Sequence, residues 1–160
     1  MAQIKPFRAL RPHNEYASQV ASRPYDVLNS EEARKEADGN LISFLHVTKP
    51  EIDLPQGTDV YSNEVYEKAK SNLQQLIDRK VLFQDDKPCY YIYQLVMNGR
   101  SQTGLVCASS VDDYENDVIK KHEFTRPEKE QDRINHIQTT RAQTGNVFLA
   151  YRVIRHSTTL

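Results

Sequence analysis

The sequence predicts a mixed α/β fold in which a central β-hairpin is flanked by helices. Two stretches rich in strand-forming residues, Cys89 to Met97 and Arg100 to Val111, are separated by Asn98-Gly99. This dipeptide favours a tight hairpin, because both turn positions need a positive φ. An amphipathic pattern from Asn63 to Lys80 predicts one helix, and a more polar helix is predicted from Arg126 to Ala142.

We expect a single mixed sheet of about five strands, built on this hairpin. The 160 residues suit one domain, which we place over residues 1–154, followed by an unstructured tail over residues 155–160. The formal net charge of -1 gives no general attraction to nucleic acid. No apolar run approaches the roughly 20 residues of a membrane helix, and the N-terminus has no signal-peptide core. We therefore expect a cytoplasmic protein with neither nucleic acid nor membrane as a partner.

Prolines divide the first forty residues into short elements. Gln3 to Leu10 contains a proline and suits an edge strand or an extended arm. Glu15 to Ser22 predicts a short helix that ends before the next proline. Arg23 to Val27 is a compact extended segment, and Ser30 is expected to cap a helix that stops at Asp38-Gly39-Asn40.

Two further strands are predicted outside the hairpin. Leu41 to Val47 is an apolar run of strand length, and Asn146 to Ile154 is another. His46 lies near the end of the first and is expected to be packed or hydrogen-bonded, because no second metal ligand lies at short spacing. Thr48 to Asp59, with two prolines and a glycine, predicts an ordered surface loop.

The two-residue turn also fixes the register of the hairpin. The predicted pairs are Met97 with Arg100, Tyr93 with Gly104, Tyr90 with Cys107, and Cys89 with Ala108. The two cysteines then point to opposite sides of the sheet, since side chains alternate along a strand. We expect two buried, free thiols that form neither a disulfide nor a metal site.

Most of the residues capable of chemistry lie between Val118 and Gly145. Thr125 and Glu128 match a capping box, which predicts a helix that begins near Arg126, and Gly145 is expected to stop it. Five polar residues recur on this helix at spacings of three and four and therefore share one face: Lys129, Asp132, Arg133, His136 and Thr140. This face is either part of a site or an ordinary salt-bridged outer face.

The candidate site combines anion-binding and proton-handling groups. Cations and free amides at a helix start suit phosphate or carboxylate. His122 or Glu123 is expected to handle a proton, and Asp26 is a candidate site carboxylate. No phosphate loop, hydrolase elbow or zinc motif occurs, so no metal site is predicted, and the sequence leaves any cofactor unknown. The predicted anion-binding residues are Lys121, Thr125, Arg126, Lys129 and Arg133.

Five stretches resemble a known family: IKPFRALRP, RPYDVLNSEEAR, SFLHVTKPEIDLP, NGRSQTGL and IKKHEFTRPEKEQDR. Together they are similar, over essentially the whole chain, to the N-terminal part of uncharacterised bacterial proteins of the domain of unknown function 1015 family. The resemblance implies a missing C-terminal portion, which carries an Asp-Gly-His-His-Arg motif in longer family members. The residues that occupy matching motifs are Asp26, His122, Glu123, Thr125, Lys129 and Arg133.

Two functions follow from the residues and the resemblance. The missing motif is loosely similar to one in the ParB and sulfiredoxin-like fold, which includes a free-serine kinase, so phosphoryl transfer is an analogy. The first hypothesis is part of a cytoplasmic metabolic enzyme that acts on a phosphorylated or carboxylated small molecule. The alternative is a non-catalytic module that binds a ligand or a partner domain through the polar helix.

Overall fold

The structure, a computed structural model, describes residues 2–122 and 125–151 and combines helices with strands, which confirms the mixed fold class. The helices are α1 (Ala17–Val20), α2 (Ser30–Ala37), α3 (Leu45–Thr48), α4 (Asn63–Asp78), α5 (Val111–Glu115) and α6 (Pro127–Thr140). Short 3₁₀ turns cover Tyr25–Val27 and Pro50–Asp53. The strands are β1 (Ile4–Lys5), β2 (Leu10–Pro12), β3 (Leu82–Gln84), β4 (Tyr91–Met97), β5 (Arg100–Val106) and β6 (Ala108–Ser109).

The described strands pair as three separate two-stranded antiparallel sheets, rather than as one sheet of about five strands. β1 pairs with β6, β2 with β3, and β4 with β5. Residues 4–9 form an arm along the open end of the hairpin, where β1 pairs with β6 and a lone bridge joins Phe7 to Cys89. Pro6 and Pro88 flank that bridge and have no amide to donate, so the ladder is interrupted there.

The hydrophobic core lies among the helices, and the hairpin is not its centre. Two clusters of buried side chains surround α3 and α4: Val20, Ile42, Val47, Leu73, Leu76, Val81 and Leu82 in one, and Leu28, Ala33, Ala37, Leu45 and Ile52 in the other. In the hairpin, by contrast, Ile92 is 74% exposed and Met97 75% exposed. The prediction of a central hairpin flanked by helices is therefore wrong for the described residues. The helices bury their apolar stripes against each other instead.

The predicted strand from Leu41 to Val47 is wrong, because this stretch forms turns that lead into α3. The side-chain oxygen of Asn40 accepts from the amide of Ile42 at 3.3 Å, and the backbone carbonyl of Asn40 accepts from the amide of Ser43 at 3.1 Å. These local bonds favour a helical path over a strand. A short apolar run does not distinguish a strand from a buried helix by its pattern alone.

Two helix starts differ from their predicted caps. α2 is capped by Asn29, not Ser30, through a capping box with Glu32 in which both hydrogen bonds measure 2.9 Å. α6 has no side-chain cap, because Pro127 occupies its first position and makes Arg126 the N-cap residue. Thr125 therefore lies one position too early to cap it. α4 ends within two residues of its predicted end.

The end of α6 comes earlier than predicted. The helix stops at Thr140, where Arg141 takes the left-handed conformation (φ 57°) that was expected of Gly145. Residues 146–151 of the predicted last strand pair with no strand among the described residues, and residues 152–154 lie outside them. No helix in the described parts of the chain is long and apolar enough to cross a membrane.

The hairpin register is confirmed where the ladder exists, with Met97 opposite Arg100 and Tyr93 opposite Gly104. The ladder begins at Tyr91, so the predicted pairing of Cys89 with Ala108 is wrong. Cys89 bridges to Phe7 on the arm instead. Both cysteines are free, as expected, but Cys89 is exposed and Cys107 is only partly buried.

Candidate functional site

The polar face of α6 points into the protein and packs against α4, so the interpretation of a salt-bridged outer face is wrong. His136 and Thr140 are buried, and Asp132 and Arg133 are partly buried. The apolar Ile134 is 39% exposed on the other side. A polar face can be buried in this way only if its groups find hydrogen-bond partners on the neighbouring elements.

A cluster of three tyrosines and three charged residues supplies those partners, and we call it the tyrosine–arginine cluster: Tyr25, Tyr61, Tyr66, Lys129, Asp132 and Arg133. The guanidinium of Arg133 lies 4.3 Å from the centre of the Tyr25 ring. It also donates to Asp132 Oδ2 at 2.8 Å, while Tyr66 donates to Asp132 Oδ1 at 3.0 Å. One carboxylate thus joins α6 to α4, and one cation–π contact joins α6 to the Tyr25 turn.

Lys129 stands at the exposed rim of this cluster. Its ammonium group donates to the hydroxyl of Tyr61 at 2.8 Å, and this hydrogen bond raises the pKa of Lys129. Burial raises the pKa of Tyr66, and the hydrogen bond to Asp132 adds to this effect, while a hydrogen bond with Asn135 opposes it. Tyr66 therefore keeps its proton and acts as a donor, and Lys129 stays a cation.

His136 lies one turn beyond Arg133 and is only 2% exposed. Its Nε2 donates to the carbonyl oxygen of Val47 at 2.9 Å, while its Nδ1 is buried with no partner among the described residues. Burial lowers the pKa of His136, and the charge of Arg133 lowers it further. The ring is therefore neutral, with its proton on Nε2, and it fastens α6 to α3.

The structure brings together only some of the predicted site residues. Lys129 and Arg133 lie in the cluster, and Asp26 is exposed on the turn whose Tyr25 ring Arg133 covers. Lys121 instead lies over the ring of Tyr114, at 4.7 Å from its centre. His122, Thr125 and Arg126 are exposed, and Glu123 lies outside the described residues.

Two open depressions in the described surface lie elsewhere. One of about 430 Å³ is lined by Arg11, His13 and Phe83 among others, and one of about 300 Å³ includes Tyr16 and Arg79. Neither is lined by a residue of α6 or of the Tyr25 turn. The cluster itself is open to solvent at Lys129, which is exposed.

Sequence reasoning missed Tyr61 and Tyr66 as members of the cluster. Tyr66 fits the apolar stripe of α4 and was assigned to the core, and its ring is indeed buried. Its partner Asp132 lies 66 positions away, so no local pattern indicates the contact. A tyrosine on an otherwise aliphatic stripe is the one available signal, because its hydroxyl needs a partner once the ring is buried.

A second polar network holds the Pro50–Asp53 turn against the helices. His46 Nδ1 lies 2.8 Å from Asp53 Oδ1, and its Nε2 lies 3.1 Å from the carbonyl oxygen of Asn40. Both neighbours accept, so both ring nitrogens donate and the ring is an imidazolium. Asn72 donates to Asp53 Oδ2 and to the carbonyl of His46, each at 2.7 Å. The expectation that His46 is hydrogen-bonded is confirmed.

These contacts shift both pKa values in the direction that strengthens the pair. The hydrogen bond to Asp53 raises the pKa of His46 against the opposing effects of burial and of Lys68. Burial alone raises the pKa of Asp53, but hydrogen bonds and charge from His46 and Asn72 outweigh it and leave that pKa lowered. At any pH between the folded-state pKa of Asp53 and that of His46, both partners are therefore charged.

This pair predicts that the stabilising effect of His46 declines as the pH rises. A raised folded-state pKa gives stability that is fully present below the unfolded value, about 6.5, and is lost as pH rises through the folded value. We expect the difference in unfolding free energy between the wild type and His46→Gln to shrink as the pH rises above about 6.5 and through the raised folded-state pKa of His46. Urea unfolding at several pH values measures it.

Only the difference between the two proteins isolates His46, because the pKa of His136 is shifted in the opposite direction. Its lowered pKa gives stability that is lost as pH falls, and this contribution is common to both proteins and cancels. Asp53→Asn should differ from the wild type in the same pH-dependent way, since it removes the negative charge that stabilises the protonated His46 ring. A difference that stays constant or grows with pH would show that His46 is neutral in the folded state.

The chain has a helical core, a solvent-exposed hairpin and a polar helix whose charged face contacts tyrosines, within a mixed α/β fold. In the described parts of the chain, no group of three or more His, Cys, Asp or Glu side chains is arranged to hold a metal ion. The family model described as "Protein of unknown function (DUF1015)" matches residues 4–158, and the chain belongs to this family. No curated protein and no solved structure matches the chain.

Proposed function

We propose that this protein is a cytoplasmic binding module for a small phosphorylated or carboxylated molecule, held by Lys129 and Arg133. The observation that carries the proposal is the stacking of Arg133 on Tyr25, which joins the polar helix to the Tyr25–Val27 turn. Two free cysteines suit a reducing compartment.

Donor capacity supports an anionic ligand. Arg133 has five N–H donors, and its hydrogen bonds within the described residues use only Nε and one terminal nitrogen, both toward Asp132. Lys129 has three donors, one of which is directed at Tyr61. With Asp132 included, the two cations leave one net positive charge beside two tyrosine rings. A planar guanidinium suits the two oxygens of a carboxylate or phosphate.

Catalysis is the second candidate, and the position of Asp26 favours it. Asp26 follows Tyr25 directly, so an exposed carboxylate lies on the turn that Arg133 contacts. In this version Lys129 and Arg133 hold the anion, and Asp26 or His122 handles a proton, as in phosphoryl transfer. The exposed position of His122 gives this version less support than simple binding.

The binding proposal predicts a rise in melting temperature with the right anion. Inorganic phosphate, nucleotides and phosphorylated amino acids are the probes for thermal-shift measurements. A ligand at 100 times its Kd adds about 2.7 kcal/mol, which is roughly 5–10 °C in a domain of this size. We expect Arg133→Gln and Lys129→Gln to lose this shift.

Lys87→Gln is the matched control, because Lys87 is an exposed cation outside the cluster. Its ligand shift should equal that of the wild type. Shifts are compared within each variant, since Arg133→Gln also leaves Asp132 without its ion pair and lowers the starting temperature. A shift that is lost in His122→Ala supports the catalytic candidate, and an unchanged shift in both cluster variants removes the cluster as the site.

A further inference from the structure

The hairpin of β4 and β5 is an apolar surface without cover among the described residues. Five large apolar side chains of β4 and one of β5 are at least half exposed: Ile92, Tyr93, Leu95, Val96, Met97 and Leu105. Side chains alternate, so these residues occupy both faces of the ribbon. Single exposed apolar residues are ordinary, but a contiguous apolar ribbon indicates an interaction surface.

The edge of β4 is also unprotected. β4 pairs with β5 alone in the described structure, so its other edge offers free amides and carbonyls. Its sequence, YIYQLVM, contains neither a charged residue nor a proline. Natural sheets usually block free edges with such residues, and an isolated two-stranded ribbon is marginally stable. β5 has the more polar sequence RSQTGLV, so β4 is the better edge to extend.

The chain also contains a strand-forming segment that has no strand to pair with among the described residues. Residues 146–151, which we call the apolar segment, read NVFLAY and belong to no described strand. Val147 is 77% exposed, Phe148 80% and Tyr151 88%. β-branched and aromatic residues favour strands. The segment is thus able to form a strand but belongs to no described sheet, and the hairpin is a two-stranded sheet that a third strand would stabilise.

We propose that the apolar segment of one copy adds as a third strand to the β4 edge of a second copy, and that the exchange is reciprocal. Neither β4 nor the apolar segment carries a charge, so two copies meet without repulsion. Among the described residues, the segment is not paired with its own hairpin.

The exchange occurs twice, so it covers part of two aromatic side chains, Phe148 and Tyr151, in each copy. A fully buried Phe or Tyr removes about 150–250 Å² from water, which is the upper limit of what each contributes toward the roughly 1,600 Å² of a standard interface. The backbone bonds of the added strands supply affinity, as in other strand additions.

Analytical ultracentrifugation of the full chain at rising concentration tests the proposal. We expect a dimer for the wild type and a monomer for Val96→Lys and for Phe148→Glu. Each variant should raise the dimer Kd at least about 100-fold, because each places a charge among the apolar side chains that meet across the new strand pair. Leu41→Lys, at a residue that is 75% exposed elsewhere, is the control and should stay dimeric.

Mixing the two variants distinguishes strand exchange from nonspecific hydrophobic association. A Val96→Lys copy keeps an intact segment and a Phe148→Glu copy keeps an intact hairpin, so the mixture should form mixed dimers through one of the two exchanges. Unchanged helical circular dichroism confirms that both variants fold, since neither residue is in the core. A monomeric wild type, a dimer that survives either variant, or a mixture without mixed dimers overturns the proposal.

Discussion

Replacing His136 by alanine is expected to lower the free energy of unfolding by roughly 3 kcal/mol. The imidazole is 2% exposed and donates to the Val47 carbonyl at 2.9 Å. Val47 is itself fully buried, so no water reaches the carbonyl that loses its donor. An unsatisfied buried acceptor costs about 1–3 kcal/mol, and the cavity left by the ring adds to that.

Two variants make the result specific to the hydrogen bond. His136→Gln keeps an amide donor of similar reach and should recover part of the loss. Gln138→Ala, two positions along on the exposed side of α6, should change stability by less than about 0.5 kcal/mol. Equal losses in the alanine and glutamine variants would assign the effect to packing alone. Guanidinium unfolding followed by circular dichroism gives all three values.

Part of this fold follows from the sequence alone, because some signals are local. Asn98-Gly99 fixes the hairpin register, and the apolar stripe of α4 gives that helix to within two residues of its end. Both signals depend on neighbours along the chain: a turn that needs positive φ, and a period of 3.6 residues.

The errors arise where distant groups decide the structure. The polar pattern of α6 suggests an outer face, but Tyr66 and the Val47 carbonyl supply partners from 66 and 89 positions away. Polarity alone does not say whether such partners exist. The candidate site divides in the same way: Lys129 and Arg133 were predicted from helix spacing, while Tyr61 and Tyr66 become visible only once α4 and α6 pack together.

The placement of the core outside the hairpin has a related cause. The strand-forming residues of β4 indicate a strand but not what covers it. The helices bury their apolar stripes against each other, and the hairpin stays outside that core. The short run from Leu41 to Val47 is apolar enough for either a strand or a buried helix. The hydrogen bonds that Asn40 accepts from the amides of Ile42 and Ser43 favour the helical path. As a result, Leu41 is exposed and Leu45 is buried, although both belong to the same stretch.

Leu45→Ala is therefore expected to lower the free energy of unfolding by about 3 kcal/mol, within the range of about 2–5 for buried leucines. Leu45 is 0% exposed and packs in the cluster of Leu28, Ala33, Ala37 and Ile52. No apolar neighbour can fill the space without moving α2 or the Pro50–Asp53 turn. Urea unfolding with an unchanged m-value measures the loss as a change in midpoint.

Leu41→Ala is the matched control, because it removes the same atoms four positions earlier. In a β-strand these two leucines lie on one face, so both substitutions would cost alike. In the structure Leu41 is 75% exposed, and its truncation should cost less than about 0.5 kcal/mol. A large gap between the two variants supports the helical path into α3. Similar losses at both positions would support the strand instead, and the core built around α3 and α4 would have to be placed differently.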